Sequence, residues 1–148
     1  DWQHALRNKR HEVLKAVTDA GGRLGSSLYP HHLKHKSDCT LQSFCQMVAD
    51  AAERYGVEHL GIGSDLCQDQ PDSVVEWMRV GRWSKVIDYG EGSANNPGFP
   101  KMPNWFRGNR DFGNIAQGLK DVGMSSGEVD AIMGLNWYRF YKDNFIPS

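Results

Sequence analysis

Asp65 closes the stretch His59-Leu60-Gly61-Ile62-Gly63-Ser64-Asp65-Leu66, and a carboxylate so placed can hold an ammonium group or move a proton. The stretch reads as a short buried strand. Leu60 and Ile62 alternate with glycines small enough to let another backbone or a ligand come close. Chemistry in α/β proteins collects at the C-terminal ends of strands, where Asp65 would stand. Aspartate is equally a turn and cap residue, and the position reads that way as well. A second cluster, His31-His32-x-x-His35, has the spacing that lets histidines share a helix face around zinc. Pro30 before it, and Lys34 and Lys36 among it, favour a solvated basic loop, because cationic neighbours disfavour a bound cation. Asp38 and Cys39 stand near enough in sequence to add ligands. His4, His11 and His59 are isolated, and His59, at the start of a strand, reads as structural.

Stepping along the chain, the segment from Asp1 to Arg10 is polar and without period, which predicts a loop. A helix follows from Glu12, with Val13, Leu14, Ala16, Val17 and Ala20 on its apolar face, and Gly21-Gly22 ends it. Leu24, Leu28 and Tyr29 mark a strand that Pro30 stops. Thr40 to Tyr55 is the clearest helix, with Leu41, Phe44, Cys45, Val48, Ala49 and Ala52 on one stripe, Asp38 or Thr40 as its cap, and Gly56 after it. Strand, helix, strand in that order requires a parallel pair with a right-handed crossover. Asp72-Ser73 can start a short helix through Val74, Val75, Trp77 and Met78. The stretch Trp83 to Trp105 is rich in Gly, Pro and Asn and reads as a long loop, with Tyr89, Phe99, Trp105 and Phe106 either pinning it down or walling a pocket. Phe112 to Val122 is amphipathic. Ser125-Ser126-Gly127-Glu128 is a capping box, and a last helix runs to about Lys142 with Val129, Ile132, Met133, Trp137, Phe140 and Tyr141 facing inward.

The totals set bounds. One domain accommodates 148 residues, and 39% hydrophobic with 24% charged residues is the composition of a folded chain. A formal net charge of −1 gives no electrostatic case for nucleic acid or an anionic membrane surface. No apolar run approaches the roughly 20 residues of a membrane helix. The three cysteines, Cys39, Cys45 and Cys67, are odd in number and form no C-x-x-C pair, which favours a reduced, cytoplasmic setting over a disulfide framework. The first residue is Asp1, no signal peptide is visible, and the chain reads as a piece of something longer. Two parallel strands cannot cover both edges of a sheet, and the helices need surfaces to bury against. The pattern is α/β, most simply the closing units of a (β/α)8 barrel spread over residues 1–148, a fold that needs roughly 250 residues when complete.

Several stretches in order resemble peptidase family M19, the membrane or renal-type dipeptidases: Arg7-Asn8 before a helix, Gly21-Gly22 turning into a strand that ends at Tyr29, Gly61-Ile62-Gly63-Ser64-Asp65, and Gly134-Leu135-Asn136-Trp137-Tyr138-Arg139 near the end. The resemblance implies a TIM-type metal-dependent hydrolase barrel, two zinc ions in the complete protein, and hydrolysis of dipeptides or related small amides. It gives Arg7 the role of holding the dipeptide carboxylate. Asp65 it places beside the substrate's free amine and the scissile nitrogen, and Tyr29 at a pocket edge. A guanidinium suits a carboxylate because it binds both oxygens and keeps its charge. Taken alone, Arg7 is an arginine in a basic stretch and Tyr29 is as readily a packing residue.

The family's zinc ligands sit on strands that would precede Asp1, so no metal ligand is assigned to this chain. The family's usual Asp-x-Asp-Gly after the strand is here Asp65-Leu66-Cys67-Gln68, which removes the second acid and the glycine. That departure opens other readings: an amidohydrolase for a non-dipeptide or N-acyl substrate, an inactive binding or scaffold protein, or a small α/β domain that pairs, possible homo-oligomer included, through an exposed sheet edge.

Overall fold

The computed structural model describes residues 8–80 and 98–145, with side chains throughout except at 78–80. The order is α1 (His11–Asp19), β1 (Leu24–Ser27), α2 (Leu41–Tyr55), β2 (Leu60–Gly63), α3 (Ser73–Val80), α4 (Phe112–Asp121), α5 (Ser126–Asp130) and α6 (Asn136–Phe145). It is a helix-rich α/β arrangement around a small parallel sheet. The two strands pair in parallel with Leu24 opposite Leu60, Gly25 opposite Gly61, Ser26 opposite Ile62 and Ser27 opposite Gly63. The strand–helix–strand order therefore closes as expected.

Local chemistry explains where the elements stop. Thr40 caps α2 by accepting the Ser43 amide, and Gly56, at a φ of 91°, ends it in a conformation that favours glycine. Ser125 and Glu128 form the reciprocal capping box at the start of α5. The core lies between α2, α4 and the sheet and is built on Leu28, Leu33, Phe44, Cys45, Val48, Leu60, Phe106, Ile115, Leu119 and Ile132. Helices α2 and α4 approach closely because Gly118 has no side chain: a Cβ there would lie 2.7 Å from Cys45 Sγ.

Three expectations need correction. The strand after Gly22 ends at Ser27 rather than Tyr29, because Ser27 Oγ accepts the Tyr29 amide and turns the chain. The last helix is not continuous. A π-helical turn over Ala131–Leu135 and a kink at Gly134 separate α5 from α6. Beyond that kink the inward face rotates, so Tyr141 points outward at 54% exposure and Phe145 at 69%. Among the described side chains of α3, Val75 is buried, while Val74 and Trp77 are exposed. The part of the long loop over 81–97, with Tyr89, lies outside the described residues, as does Arg7. The rest of that loop is pinned: Trp105 Nε1–H donates to the Cys39 carbonyl at 2.7 Å, and Phe106 is buried against Phe112.

Candidate active site at the strand ends

Because Ser27 stands opposite Gly63, both strands finish at the same edge of the sheet. Tyr29 and Asp65 each follow two residues after these last paired positions, so both come just beyond the same edge of the sheet. Asp65 is exposed and holds a φ of 52°, a left-handed conformation that aspartate tolerates better than most residues. It therefore makes a turn just past the end of β2.

After β1 the chain folds into a compact polar turn. Ser27 Oγ and His32 Nδ1 share a hydrogen bond of 3.0 Å, and the half-buried Tyr29 ring packs 5.1 Å from that of His32 and 5.5 Å from that of His31. Pro30 is buried. His35 sits in the left-handed region at a φ of 64°, which turns the chain away after the turn. His31, His32 and His35 thus serve a turn, and no group of three or more His, Cys, Asp or Glu side chains fit to hold a metal ion occurs among the described residues. Asn8, next in the chain to Arg7, donates its amide to the His32 carbonyl at 3.1 Å.

After β2 the sequence Cys67-Gln68 has a visible use. Gln68 Oε1 accepts the Asn109 amide at 2.9 Å and so ties the strand-end loop to the turn before α4. Farther on, Asp72 Oδ1 accepts the Phe99 amide at 3.0 Å. Cys67 is exposed, whereas Cys39 and Cys45 are buried. Burial, together with the nearby charges of Asp121 and Cys39, pushes the Cys45 thiol up to about 12, and burial also raises Cys39, in part offset by a hydrogen bond from Ser43. Those two thiols are inert core groups.

Two residues not singled out for a role hold β2 along its length. Asn136 is buried and donates to both Val57 and Leu60 carbonyls, at 2.7 and 2.8 Å. Trp137 donates to the Ile62 carbonyl at 3.2 Å and lays its indole over Gly61 and Gly25. The Gly-x-Asn-x-x-Arg pattern carried the signal, but not the partner, since the contacts span 75 to 79 residues. His59 is structural as read: Nδ1–H donates to the Gly22 carbonyl at 2.8 Å.

Among solved structures, the chain is similar to an amidohydrolase from Pseudomonas aeruginosa, with 28% identity and a TM-score of 0.79. The match covers 96% of this chain and 42% of that one, so the chain spans less than half of the amidohydrolase. No protein-family model matches the sequence, and no curated protein matches it significantly. No helix among the described residues is long and apolar enough to cross a membrane.

Proposed function

We propose that this chain is the C-terminal portion of a hydrolase barrel that cleaves a dipeptide or a related small amide. The observation that carries the reading is the 28% identity to an amidohydrolase over 96% of the chain. The strand-end position of Asp65 in a parallel sheet agrees with it. In this reading two zinc ions belong to the longer polypeptide. Among the described residues no group of three or more His, Cys, Asp or Glu side chains could hold a metal ion.

This chain's own residues supply orientation and proton transfer. Arg7 pairs with the substrate carboxylate through two of its guanidinium nitrogens. Asp65 accepts a hydrogen bond from the free ammonium. As water adds to the amide carbon, Asp65 takes up a proton, and it returns that proton to the nitrogen as the C–N bond breaks. Tyr29 borders the pocket beside it. A second reading, binding without turnover, draws on Cys67-Gln68, which replace an acid and a glycine with a loop tether.

The test is turnover of a dipeptide and N-acyl amino acid panel by the full-length polypeptide, with and without Asp65→Asn. The substitution should lower kcat by about 100-fold or more, the usual contribution of a positioned acid–base group. Asp65→Asn as active as the parent removes Asp65 from the chemistry, and a parent that binds the panel without cleaving it sinks the hydrolase reading in favour of the second.

A further inference from the structure

We infer that residues 67–72 form a flap at the end of β2 that opens as one unit, held shut by two side-chain latches, Gln68 and Asp72, on the segment 98–109. The inference rests on contacts and does not depend on the hydrolase reading. The flap lies between two anchored points. Leu66 before it packs against the core, and Val75 after it is buried. Residues 67–74 between them are exposed. The segment it closes on is fixed: Pro103 and Phe106 are buried, and Trp105 Nε1–H donates to the Cys39 carbonyl.

Both latches have the same form. Gln68 Oε1 accepts the Asn109 amide at 2.9 Å, and Asp72 Oδ1 accepts the Phe99 amide at 3.0 Å. Each accepted amide follows a glycine. A Cβ on Gly108 would lie 3.1 Å from Gln68 Oε1, and one on Gly98 would run into the Asp72 carboxylate. Bare backbone at both points lets a side-chain oxygen come in close. Gln68 Nε2–H also donates to Asp69 Oδ2 at 3.1 Å, within the flap itself. Asp65 and Asp69 hold φ angles of 52° and 58°, left-handed conformations that persist only where surrounding contacts maintain them. The latches are such contacts. Both bonds are exposed, so water can replace either partner and each contributes modestly. A segment tied by a few exposed bonds opens at far lower cost than the whole domain. Gln68 and Asp72 stand four residues apart on one exposed stretch, so releasing one loosens the hold of the other.

The experiment follows hydrogen exchange at the Phe99 and Asn109 amides by NMR in the full-length polypeptide, comparing parent, Gln68→Met, Asp72→Leu, Gly98→Ala and Asp72→Asn. Gln68→Met keeps the length and removes one acceptor. It should speed exchange at Phe99, whose own acceptor is untouched, about five-fold, the factor that one lost hydrogen bond commands. Asp72→Leu and Gly98→Ala release the other latch from opposite sides, and each should speed Asn109 by a similar factor. Asp72→Asn keeps an acceptor oxygen and should match the parent. The Val48 amide within α2 should hold its parent rate in every variant. Acceleration confined to the amide whose own latch was broken overturns the single flap. Acceleration of Val48 to the same degree overturns it as well, since the whole domain would then be opening. Asp72→Asn as fast as Asp72→Leu overturns the part given to the Asp72 oxygen.

Discussion

Asp65 shows how conformation and chemistry can be separated at a single position. Its φ of 52° costs a β-branched residue about 1–2 kcal/mol relative to glycine. Asp65→Val should therefore melt below Asp65→Gly by that margin, while both lose turnover alike, and calorimetry beside an activity assay checks it. Equal melting points would mean that the turn relaxes when the aspartate is replaced. Cys45 offers a second residue-scale test. Its folded-state thiol titrates at about 12, above the ordinary thiol range, so the native state holds its proton where the unfolded chain has lost it. Its contribution to stability is full below about pH 8.5 and drains away as pH climbs toward about 12. Denaturant midpoints should fall across that window, and Cys45→Ala should flatten the fall. Asp65 was legible as a candidate from its place after an apolar strand. Its backbone conformation was not, because aspartate occupies extended and left-handed regions under nearly the same sequence.

Elements held by local chemistry were readable, and those held across distance were not. The Thr40 cap, the Gly56 stop and the Ser125–Glu128 box all follow from residues within a few positions of each other. The face of α6 was misread at Tyr141 because the π-turn and the Gly134 kink shift the helical phase, and nothing in the periodicity of the sequence marks that shift. The duty of Asn136 was invisible because both its acceptors lie in a segment far upstream. Asn136→Ala leaves two carbonyls without their donor and should destabilise by about 1–3 kcal/mol, read by chemical denaturation. Gly61→Ala should cost a similar amount, about 1–3 kcal/mol, since the new methyl meets the Trp137 indole and the ring must give way. Combining Gly61→Ala with Trp137→Leu should recover part of that loss, and strict additivity of the two would show that the ring and the glycine do not touch.

At the scale of the molecule, apolar surface remains uncovered on several sides. Val13 and Val17 on α1, Trp77 on α3, and Tyr138, Tyr141 and Phe145 on α6 are all exposed, and among the described residues the sheet has two strands and so two open edges. The isolated 148-residue chain should therefore self-associate and bind a hydrophobic dye, as size-exclusion chromatography and dye fluorescence would report. A monodisperse chain with one cooperative melt would show that the exposed faces are tolerated. The class of the fold was legible because the strand–helix–strand unit is short and self-consistent. What covers the outer faces was not, because burial against distant chain leaves the same apolar stripe whatever the partner is. Trp137 adds a dimension of time. It seals the glycine face of β2 but follows Ile62 by 75 residues, so during synthesis at about 5–20 residues per second that face waits roughly 4–15 s for its cover. The newborn strand pair is thus a client for whatever shields nascent chains, and codons that slow the ribosome between Gly63 and Trp137 would lengthen its most vulnerable moment.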